Sequence, residues 1–489
     1  MFQIKPLYAA VASCALLLAA CDDSATVGTT NNAAVTGSSG SSADIGTNAS
    51  IRVVHASPDA PAVNVALNGA TAIEALDYGE SSGFATVPAG AYDVAVDGIL
   101  PAGTATVISV DGLTLPAGSK TTVVAVGDVA EIAPLVVPNS ASTPAASEIT
   151  LTVTHAAPAA PTVQLYLLAP NAPLDLNAPG AEVAFQQTLD LGALPAGEVR
   201  IIAAAGGAVA FDSGTVDLAP FAGNALSVFA IESDSFAEQT GSPIKLLVGT
   251  GSATVTLRNT MSPAAARVVH VSPDARVAAH GPVEVWATPL PDSHPIELID
   301  AFSYTDVVPS VDSYVTVPAG GYRFDVAPDT DTIGDSVFTS GDLDLAAGSD
   351  YSVLAVGRVT NTDPANAFRL IAFEDENRPV ATQASLRVVH GAPAAGTVDV
   401  YVSAAGEVNA HALDTIDPVL SGFAFGDVTD ALALTPGSYD VRVVAGGAVA
   451  INAEGVQLAA GSVSTAIARG PIEGVHVAPQ DFGLILLSR

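Results

Sequence analysis

The sequence contains very little cysteine, which limits how the protein can be stabilised. Its only two cysteines, Cys14 and Cys21, lie within the first 21 of 489 residues. Removal of a signal peptide would take Cys14 away, so that no disulfide could form within the mature chain. A protein exported without cross-links has to rely on hydrophobic cores of sufficient size. The content of 49% hydrophobic residues is high enough to build several such cores.

Basic and aromatic residues are also scarce. The chain has 16 basic and 50 acidic residues, which gives a net charge of −34. Nucleic acids and anionic membrane surfaces are polyanions, and so we expect neither to be a partner. Aromatic residues make up 5% of the chain, with a single tryptophan, Trp286, so few side chains could line a sugar-binding cleft.

The sequence lacks the common motifs of catalysis. It has no Gly-x-Ser-x-Gly turn, no glycine-rich phosphate loop with its lysine, and no His-Glu-x-x-His pair. No thiol other than that of Cys21 would remain in the mature chain to act as a nucleophile. We therefore predict that the protein is not an enzyme, that it has no catalytic residues and that it needs no cofactor.

Residues 1–20 have the features of an export signal. Lys5 precedes an apolar run that is too short for a comfortable bilayer span. The run ends in Leu18-Ala19-Ala20-Cys21, which resembles the bacterial lipoprotein box, where the cysteine is lipidated after cleavage. We predict that Cys21 carries acyl chains, such as palmitate, that hold the protein on a membrane. The alternative is an ordinary secretory signal, in which Cys21 is incidental.

A lipid anchor predicts a location in the cell envelope. The outer membrane or the cell surface is the favoured place. Asp22 indicates the periplasmic face of the inner membrane as the alternative, because an aspartate after the cysteine often has this effect in enteric lipoproteins. Residues 21–50 are mostly Ser, Thr, Gly, Asn and Asp without apolar periodicity, and we expect them to form a flexible tether.

One short phrase occurs four times, at intervals of roughly one hundred residues. It is an alternating strand that ends in a histidine and is followed by a turn that contains proline. The four histidines are His55, His155, His270 and His390. A period of this length corresponds to a whole domain. We predict four domains, at residues 51–137, 149–249, 264–374 and 385–489, although residues 254–257 could open the third.

The four copies share further landmarks that indicate an all-β fold. Strict alternation, as over residues 63–67, is typical of a strand with one buried face. A Pro-Ala-Gly turn precedes a later strand, as at Pro88-Ala89-Gly90, and we expect its glycine to take a positive φ. About seven short strands per copy and no helical period predict four tandem antiparallel β-sandwiches of immunoglobulin-like shape. Small barrels are the alternative.

These motifs resemble a known family. The Val-Val-His-[Ala/Gly]-[Ser/Ala]-Pro opening, the Pro-Ala-Gly-x-Tyr turn and a final apolar strand are similar to the bacterial extracellular family of unknown function numbered 4397 (DUF4397). The resemblance covers nearly all of residues 50–487. The second copy departs most, with Thr152 in place of the arginine of the opening. The resemblance implies tandem β-sandwiches on a lipoprotein or surface protein, and it brings no established chemistry.

The repeated histidines are the obvious candidates for a binding site, because imidazole can ligate a metal or act as a base. Each copy supplies only one such histidine, whereas a zinc site needs three or four ligands. Asp59 and Asp274 follow in the first and third copies, but Ala159 and Ala394 occupy that place in the other two. We therefore expect each repeated histidine to bond the backbone of its turn and to cover the edge of the core.

One loop suggests a calcium site. Asp329, Asp331 and Asp335 supply carboxylates near a turn glycine, Gly334. Ile333 breaks the helical-loop calcium motif, and no glutamate follows at the required place. A solvated hairpin loop is the competing interpretation.

These observations favour a non-enzymatic, lipid-anchored scaffold that contacts a protein or an envelope polymer through its loops or sheet edges. Because the linkers are short, we expect a monomeric, semi-extended rod of four self-sufficient sandwiches. The alternatives are a carbohydrate- or polymer-binding array and a calcium-dependent adhesin. Tyr92, Tyr322 and Tyr439 fall at strand positions, which favours a place in the core over a sugar platform.

Overall fold

The computed structural model describes residues 47–489 except for 140–142, 251–253, 280, 292–293, 331, 362, 408–415, 475 and 477–478. Within this part of the chain, four modules follow one another, and each consists of two β-sheets. The prediction of tandem all-β sandwiches is confirmed. The signal sequence, Cys21 and most of the tether lie outside the described residues.

The first module has eight strands. They are β1 (Asn48–His55), β2 (Val63–Leu67), β3 (Ala70–Leu76), β4 (Ala85–Pro88), β5 (Gly90–Leu100), β6 (Gly103–Leu115), β7 (Lys120–Val126) and β8 (Ala133–Asn139). One sheet has the order β4-β1-β7-β8 and the other β3-β2-β5-β6. The core between the sheets contains Ile51, Val65, Val96 and Leu115.

The second module extends the same arrangement. Its strands are β9 (Glu148–His155), β10 (Val163–Leu168), β11 (Ala181–Val183), β12 (Thr188–Pro195), β13 (Glu198–Ala205), β14 (Ala208–Asp217), β15 (Ala225–Glu232), β16 (Ile244–Gly249) and β17 (Thr254–Leu257), with helix α1 (Phe236–Gly241) before β16. The sheet orders are β12-β9-β15-β16-β17 and β11-β10-β13-β14. Because β17 pairs with β16, residues 254–257 extend the second module and do not open the third.

The third module has edge strands that are broken into short pieces. Its strands are β18 (Ala264–Val271), β19 (Val283–Pro289), β20 (Ile296–Phe302), β21 (Val307–Val308), β22 (Val315–Val317), β23 (Gly320–Pro328), β24 (Phe338–Thr339), β25 (Leu343–Leu345), β26 (Asp350–Val356) and β27 (Arg369–Glu374), with helix α2 (Ala275–Ala279) after β18. One sheet has the order β21-β18-β26-β27, and β22 also pairs with β18. The other has the order β20-β19-β23-β24, and β25 also pairs with β23.

The fourth module returns to the plan of the first. Its strands are β28 (Ala384–His390), β29 (Val398–Ala404), β30 (Leu420–Phe423), β31 (Leu432–Leu434), β32 (Gly437–Ala445), β33 (Ala448–Leu458), β34 (Val463–Arg469) and β35 (Gly483–Ser488). The sheet orders are β31-β28-β34-β35 and β30-β29-β32-β33. Short 3-10 turns lie at Val129–Glu131, Ala219–Phe221 and Ile333–Asp335.

One strand pair in each module is parallel, whereas the other pairs between these named strands are antiparallel. The parallel pairs are β1 with β7, β9 with β15, β18 with β26, and β28 with β34. Each repeated histidine ends the first strand of such a pair. The turn after the histidine therefore lies beside the loop that leaves the parallel partner.

In the first and third copies a tyrosine bonds the Pro-Ala-Gly turn, and only in the third copy does the turn glycine, Gly320, also have a positive φ. The hydroxyl of Tyr92 donates to the carbonyl oxygen of Pro88 at 2.7 Å, and that of Tyr322 donates to Pro318 at 2.7 Å. The turn glycine of the first copy, Gly90, does not take the positive φ that we expected, and neither do those of the second and fourth copies. One glycine with positive φ occupies the same place in all four copies, two residues before the parallel partner strand, at Gly118, Gly223, Gly348 and Gly461.

The first two modules share a buried interface. Alternation along β1 points Ile51 into the core and Arg52 to the outer face, yet each is only 1% exposed. The outer face is covered because Val54 packs in one cluster with Phe229 and Leu247 of the second module. The first strand is thus buried on both faces, whereas a strand of an isolated sandwich is expected to expose one face to water.

The third and fourth modules pack in the same way. Val269 and Leu354 of the third module form a buried cluster with Val389, Ile467 and Leu487 of the fourth. All five side chains are buried completely. The four modules are therefore arranged as two pairs, and each pair shares a second hydrophobic core outside its sandwiches.

The two pairs also contact each other. Arg378, which follows the third module, donates to the carbonyl oxygen of Ala60 at 2.7 Å and pairs with Asp77 at 2.7 Å, both in the first module. Ala237 of helix α1 packs with Ala265 and Tyr314 of the third module. The semi-extended rod of self-sufficient sandwiches is therefore wrong. The linker between the third and fourth modules is short, but its Arg378 bonds to the first module and holds the two pairs together.

Candidate functional site

Each repeated histidine closes the turn that follows its strand. The Nδ1 of His55 accepts a hydrogen bond from the N–H of Ser57 at 3.4 Å, and its Nε2 bonds the carbonyl oxygen of Pro61 at 2.9 Å. His155 and His390 make the same two contacts, to residues two and six positions further on. The Nδ1 of His270 likewise accepts from the N–H two residues on, at 3.3 Å.

Burial keeps these imidazoles neutral. Desolvation lowers the pKa of all four repeated histidines, and that of His270 falls from 6.5 to about 4. In the three histidines with both contacts, one nitrogen accepts from a backbone N–H and so the other carries the proton. A buried, neutral ring with both nitrogens engaged is poorly placed to bind a metal or to act as a base near pH 7.

An aromatic ring packs edge-on against each repeated histidine, a feature that the sequence reasoning missed. The ring centroids of His55 and Tyr78 lie 6.1 Å apart. The other pairs are His155–Phe185 at 6.2 Å, His270–Tyr304 at 6.0 Å and His390–Phe425 at 6.2 Å. In each copy, the residue after the aromatic has a positive φ and donates its N–H to the carbonyl oxygen of the histidine. The distance in sequence between the two rings varies from copy to copy, which hides the motif from a search at fixed spacing.

In the first and third modules this aromatic residue also crosses to the neighbouring module. The hydroxyl of Tyr78 donates to the carbonyl oxygen of Glu232 at 2.7 Å. The hydroxyl of Tyr304 donates to the carbonyl oxygen of Gly470 at 2.8 Å. Phenylalanine takes this place in the second and fourth modules. We call the repeated histidine, the turn that it closes and its aromatic partner a histidine unit. Each histidine unit thus connects a turn to the interface between two modules.

The aspartates that follow two of the histidines bond backbone rather than the imidazole. Asp59 accepts the N–H of Val129 at 2.6 Å. Asp274 accepts the N–H groups of Val359 and Thr360 at 2.8 and 3.0 Å. Both carboxylates hold the loop that leaves the parallel partner strand. No shared His–Asp chemistry is built from these contacts.

The repeated arginines lie in the interfaces between paired modules. Arg267 and Arg387 each place a guanidinium nitrogen 3.5 Å from the carboxylate of Asp375, in the linker between the third and fourth modules. The hydroxyls of Ser352 and Tyr314 donate to the same carboxylate at 2.6 and 2.9 Å. Burial raises the pKa of Asp375, and Arg267 acts against this increase. One carboxylate therefore serves two buried cations.

The interface of the first pair of modules has only one of the repeated arginines, Arg52, and no carboxylate at the place of Asp375. Arg52 donates to the hydroxyl of Thr122 at 3.1 Å and lies 4.5 Å from the ring centroid of Phe84. Burial lowers its pKa below the ordinary value of arginine, to about 10, so it stays charged at neutral pH. Asn139, which bonds Thr122, occupies the place that Asp375 has in the second pair. Thr152 stands where the second arginine would be.

The calcium prediction is not tested by the structure. Asp331 lies outside the described residues, and the hydroxyl of Thr330 is 3.3 Å from a carboxylate oxygen of Asp335. Within the part of the chain that the structure describes, no group of three or more His, Cys, Asp and Glu side chains could hold a metal ion. No helix of that part is long and apolar enough to cross a bilayer.

Two stretches of the chain match one family profile. The profile of the Domain of unknown function (DUF4397) matches residues 49–166 and 264–401, which together are more than half of the chain. The chain belongs to the DUF4397 family. Each match begins at the first strand of an odd-numbered module and runs into the second strand of the next module. The family profile thus covers both first strands of a module pair.

Solved structures are similar to this DUF4397 protein only at low identity. The Bacillus anthracis TIE protein is 10% identical with a TM-score of 0.15, over 86% of this chain and 67% of that one. A candidate cell adhesion protein from Bacteroides uniformis is 11% identical with a TM-score of 0.14, over 46% and 98%. Another from Bacteroides fragilis is 12% identical with a TM-score of 0.12, over 42% and 83%. No curated protein matches the chain.

Proposed function

We propose that the protein is a non-catalytic cell-envelope protein that is anchored by a lipid on Cys21 and presents a rigid four-module body to a protein or polymer partner. The observation that carries this proposal is the use of the repeated residues. The histidines close turns, and the aromatic rings and arginines join paired modules. The residues with the most obvious chemical potential are therefore committed to holding the body together.

The outer surface is the part of the molecule left for recognition. With 50 acidic and 16 basic residues, it repels polyanions and favours a neutral or cationic partner. Loops and edge strands at the module ends are the available contact regions, because the broad sheet faces around β1 and β18 are buried in module interfaces. A rigid body fixes the spacing of these loops, which suits simultaneous contacts with an extended partner.

The carbohydrate-binding alternative has less support. Every aromatic side chain in the described residues is buried or half-buried, including the single tryptophan, Trp286. The large hydrophobic side chains exposed there are all aliphatic. A sugar-binding face normally presents an exposed aromatic platform, and the described part of the chain offers none.

The lipid anchor is tested by labelling cells with radioactive palmitate. The wild-type protein should carry the label and sediment with membranes, whereas the Cys21→Ala variant should lose both properties. Cys14→Ala is the matched control, because that cysteine is expected to leave with the signal, and it should behave as wild type. Retention of the label and of membrane association by Cys21→Ala would disprove the anchor.

The binding role is tested by capture from envelope extracts with the mature chain that starts at Asp22. We expect a specific protein or polymer to be retained at low salt and released at high salt, since the surface is strongly acidic. The same chain, unfolded by heat before the capture step, serves as the control for non-specific binding. Turnover of an envelope substrate by the purified chain would contradict the non-catalytic role.

A further inference from the structure

The third module contains an apolar cavity of about 440 Å³ between its two sheets. Ala266 and Val268 of β18 and Val353 of β26 line one wall. Val285 and Ala287 of β19 line the facing wall. A cavity with such walls stays dry and favours apolar guests, and its volume lies within the roughly 300–1,000 Å³ of small-molecule sites.

The few polar groups of the lining are occupied or lie at the entrance. The hydroxyl of Tyr322 donates to Pro318 at 2.7 Å. His270 is buried and accepts the N–H of Ser272, and burial lowers its pKa to about 4, so the ring is neutral. Glu297, a half-buried residue of the edge strand β20, is the one charged side chain among the lining residues of the described chain. The interior therefore offers contact to hydrocarbon and little else.

Exposed aliphatic side chains surround the entrance. Ile296 and Leu298 of β20 are 55% and 40% exposed, and Val315 of β22 is 45% exposed. Val337 is 43% exposed, and all four side chains also line the cavity. Apolar side chains clustered at the edge of an apolar cavity are typical of a binding site, whereas single exposed aliphatics are ordinary.

The other copies have larger side chains where the third has two alanines. Four residues before the histidine, the third copy has Ala266. The other copies have Ile51, Leu151 and Leu386 there. In the second strand, the third copy has Ala287, and the other copies have Leu67, Leu167 and Val402. Both alanines border the cavity, so the sequence of this copy leaves open a space that isoleucine or leucine would enter.

Neighbouring aromatic residues return only part of the missing volume. Tyr351 stands beside Ala266, where the first copy has Thr121 beside Ile51. Phe324 stands opposite Ala287, where the first copy has Val94. Phe324 lines the cavity and Tyr351 is not among the lining residues, so the cavity persists beside these two rings.

We propose that the third module binds one aliphatic chain of a neutral lipid or alcohol in this cavity. The lining on β19 runs from Val283 to Pro289, which is about 20 Å of strand, whereas facing sheets lie about 10 Å apart. An elongated slot suits a linear chain better than a compact ring system. The acidic protein and Glu297 at the entrance disfavour an anionic headgroup.

Binding is tested with a series of 1-alkanols and the unlipidated mature chain that starts at Asp22. Isothermal titration calorimetry measures the binding, because Trp286, which alternates with the cavity residues Val285 and Ala287 on β19, faces away from the cavity and is not a suitable fluorescent reporter. We expect the affinity to rise about fourfold per methylene and then to level off once the chain fills the cavity. The carboxylate of equal length should bind at least tenfold more weakly.

Two cavity-filling variants place the side chains of the other copies in the third module. Ala266→Ile and Ala287→Leu should each reduce alkanol affinity at least tenfold while the melting temperature stays the same or rises. At the entrance, Leu298→Lys should also weaken binding. Leu486→Lys is its matched control, because Leu486 is equally exposed, at 39%, but lies in the fourth module.

The proposal is overturned if no alkanol binds, or if the folded filling variants bind as well as wild type. If neither filling variant folds, unchanged binding by Leu298→Lys overturns it as well. The lipidated protein, extracted from membranes, identifies the source of the chain. Probe binding by both forms supports a separate lipid as the occupant, whereas binding by the unlipidated form alone assigns the site to the protein's own acyl anchor.

Discussion

At the scale of single residues, Asp375 shows how one carboxylate matches the charge of a buried interface. It lies 3.5 Å from Arg267 and 3.5 Å from Arg387, and all three side chains are buried. The interface of the first pair has only one of the repeated arginines, Arg52, and the residue in the place of Asp375 is the neutral Asn139. A carboxylate is therefore found where two guanidinium groups share one interface, and an amide where there is one.

We predict that Asp375→Asn destabilises the protein strongly. The change keeps the shape of the side chain but removes the carboxylate that pairs with buried Arg267, which costs about 3 kcal/mol or more. Arg387 keeps a second carboxylate contact, to the exposed Glu376 at 3.3 Å. Urea unfolding at neutral pH, followed by circular dichroism, should show the loss. The matched variant Asn139→Asp adds a carboxylate near Arg52 and should cost much less. Equal stability of Asp375→Asn and wild type would mean that the arginines do not depend on this carboxylate.

The buried histidines predict how stability depends on pH. His270 has a pKa of about 4 in the folded protein, and unfolded histidine titrates near 6.5. The folded state therefore loses stability as the pH falls from about 6.5 to about 4, on the order of 3 kcal/mol from this residue. Buried Asp350 and Asp375, whose pKa values are raised, act in the opposite direction because the folded state holds their protons more tightly.

Nuclear magnetic resonance separates the histidine from these carboxylates. The ring protons of His270 should show no titration above about pH 5 in the folded chain. In urea unfolding, His270→Gln should reduce the slope of stability against pH over this range. A His270 titration near 6.5 in the folded protein would show that the ring is solvated.

At the scale of elements, the tyrosine of the Pro-Ala-Gly turn ties the start of a strand to the turn before it. Tyr322 is only 7% exposed, whereas the Tyr92 contact lies in a more solvated place. The sequence predicted both the turn and the inward position of the ring. It did not predict the hydroxyl contact, because a glycine with positive φ accounts for the Pro-Ala-Gly sequence equally well.

We predict that Tyr322→Phe costs about 1 kcal/mol of stability and that Tyr92→Phe costs less than half as much. Each change removes one hydrogen bond, and the loss should be larger where the contact is partly buried, as at Tyr322, than where it is exposed to water, as at Tyr92. The urea concentrations at the unfolding midpoints of the two variants are compared with that of wild type. Each variant serves as the control for the other. Equal losses would show that burial does not distinguish the two turns.

The histidine unit shows where prediction at this scale ended. The position of His55 at a strand end and its bond to the turn follow from local sequence. Its aromatic partner, Tyr78, is 23 residues away, and the matching distance in the fourth copy is 35 residues. Loops of different length bring the same two rings together, so the pairing depends on the folded sandwich and not on spacing.

At the scale of the whole molecule, the module pair is the structural unit. Val54, Val124 and Val126 of the first module are almost completely buried because the second module covers them. An isolated first module would expose these aliphatic side chains as a continuous patch. Such a patch promotes association with other molecules.

We therefore predict different behaviour for one module and for two. A fragment of residues 47–257 should be monomeric and unfold in a single transition, whereas residues 47–139 alone should self-associate or be far less stable. Size-exclusion chromatography with light scattering, and thermal unfolding, give the two readouts. If the fragment of residues 47–139 is a stable monomer with the same melting temperature as the fragment of residues 47–257, the modules are independent.

The sequence by itself determined the number of modules, their all-β class and the place of each repeated histidine, because period-two alternation and turn chemistry act over a few residues. The tertiary structure decided which outer faces are buried, that Asp375 serves two arginines, and that two alanines of the third copy border a cavity. These features join residues from distant parts of the chain. The alternation of residues along a strand shows which side chains share a face. Only the packing of the modules decides whether water or another module covers the outer face.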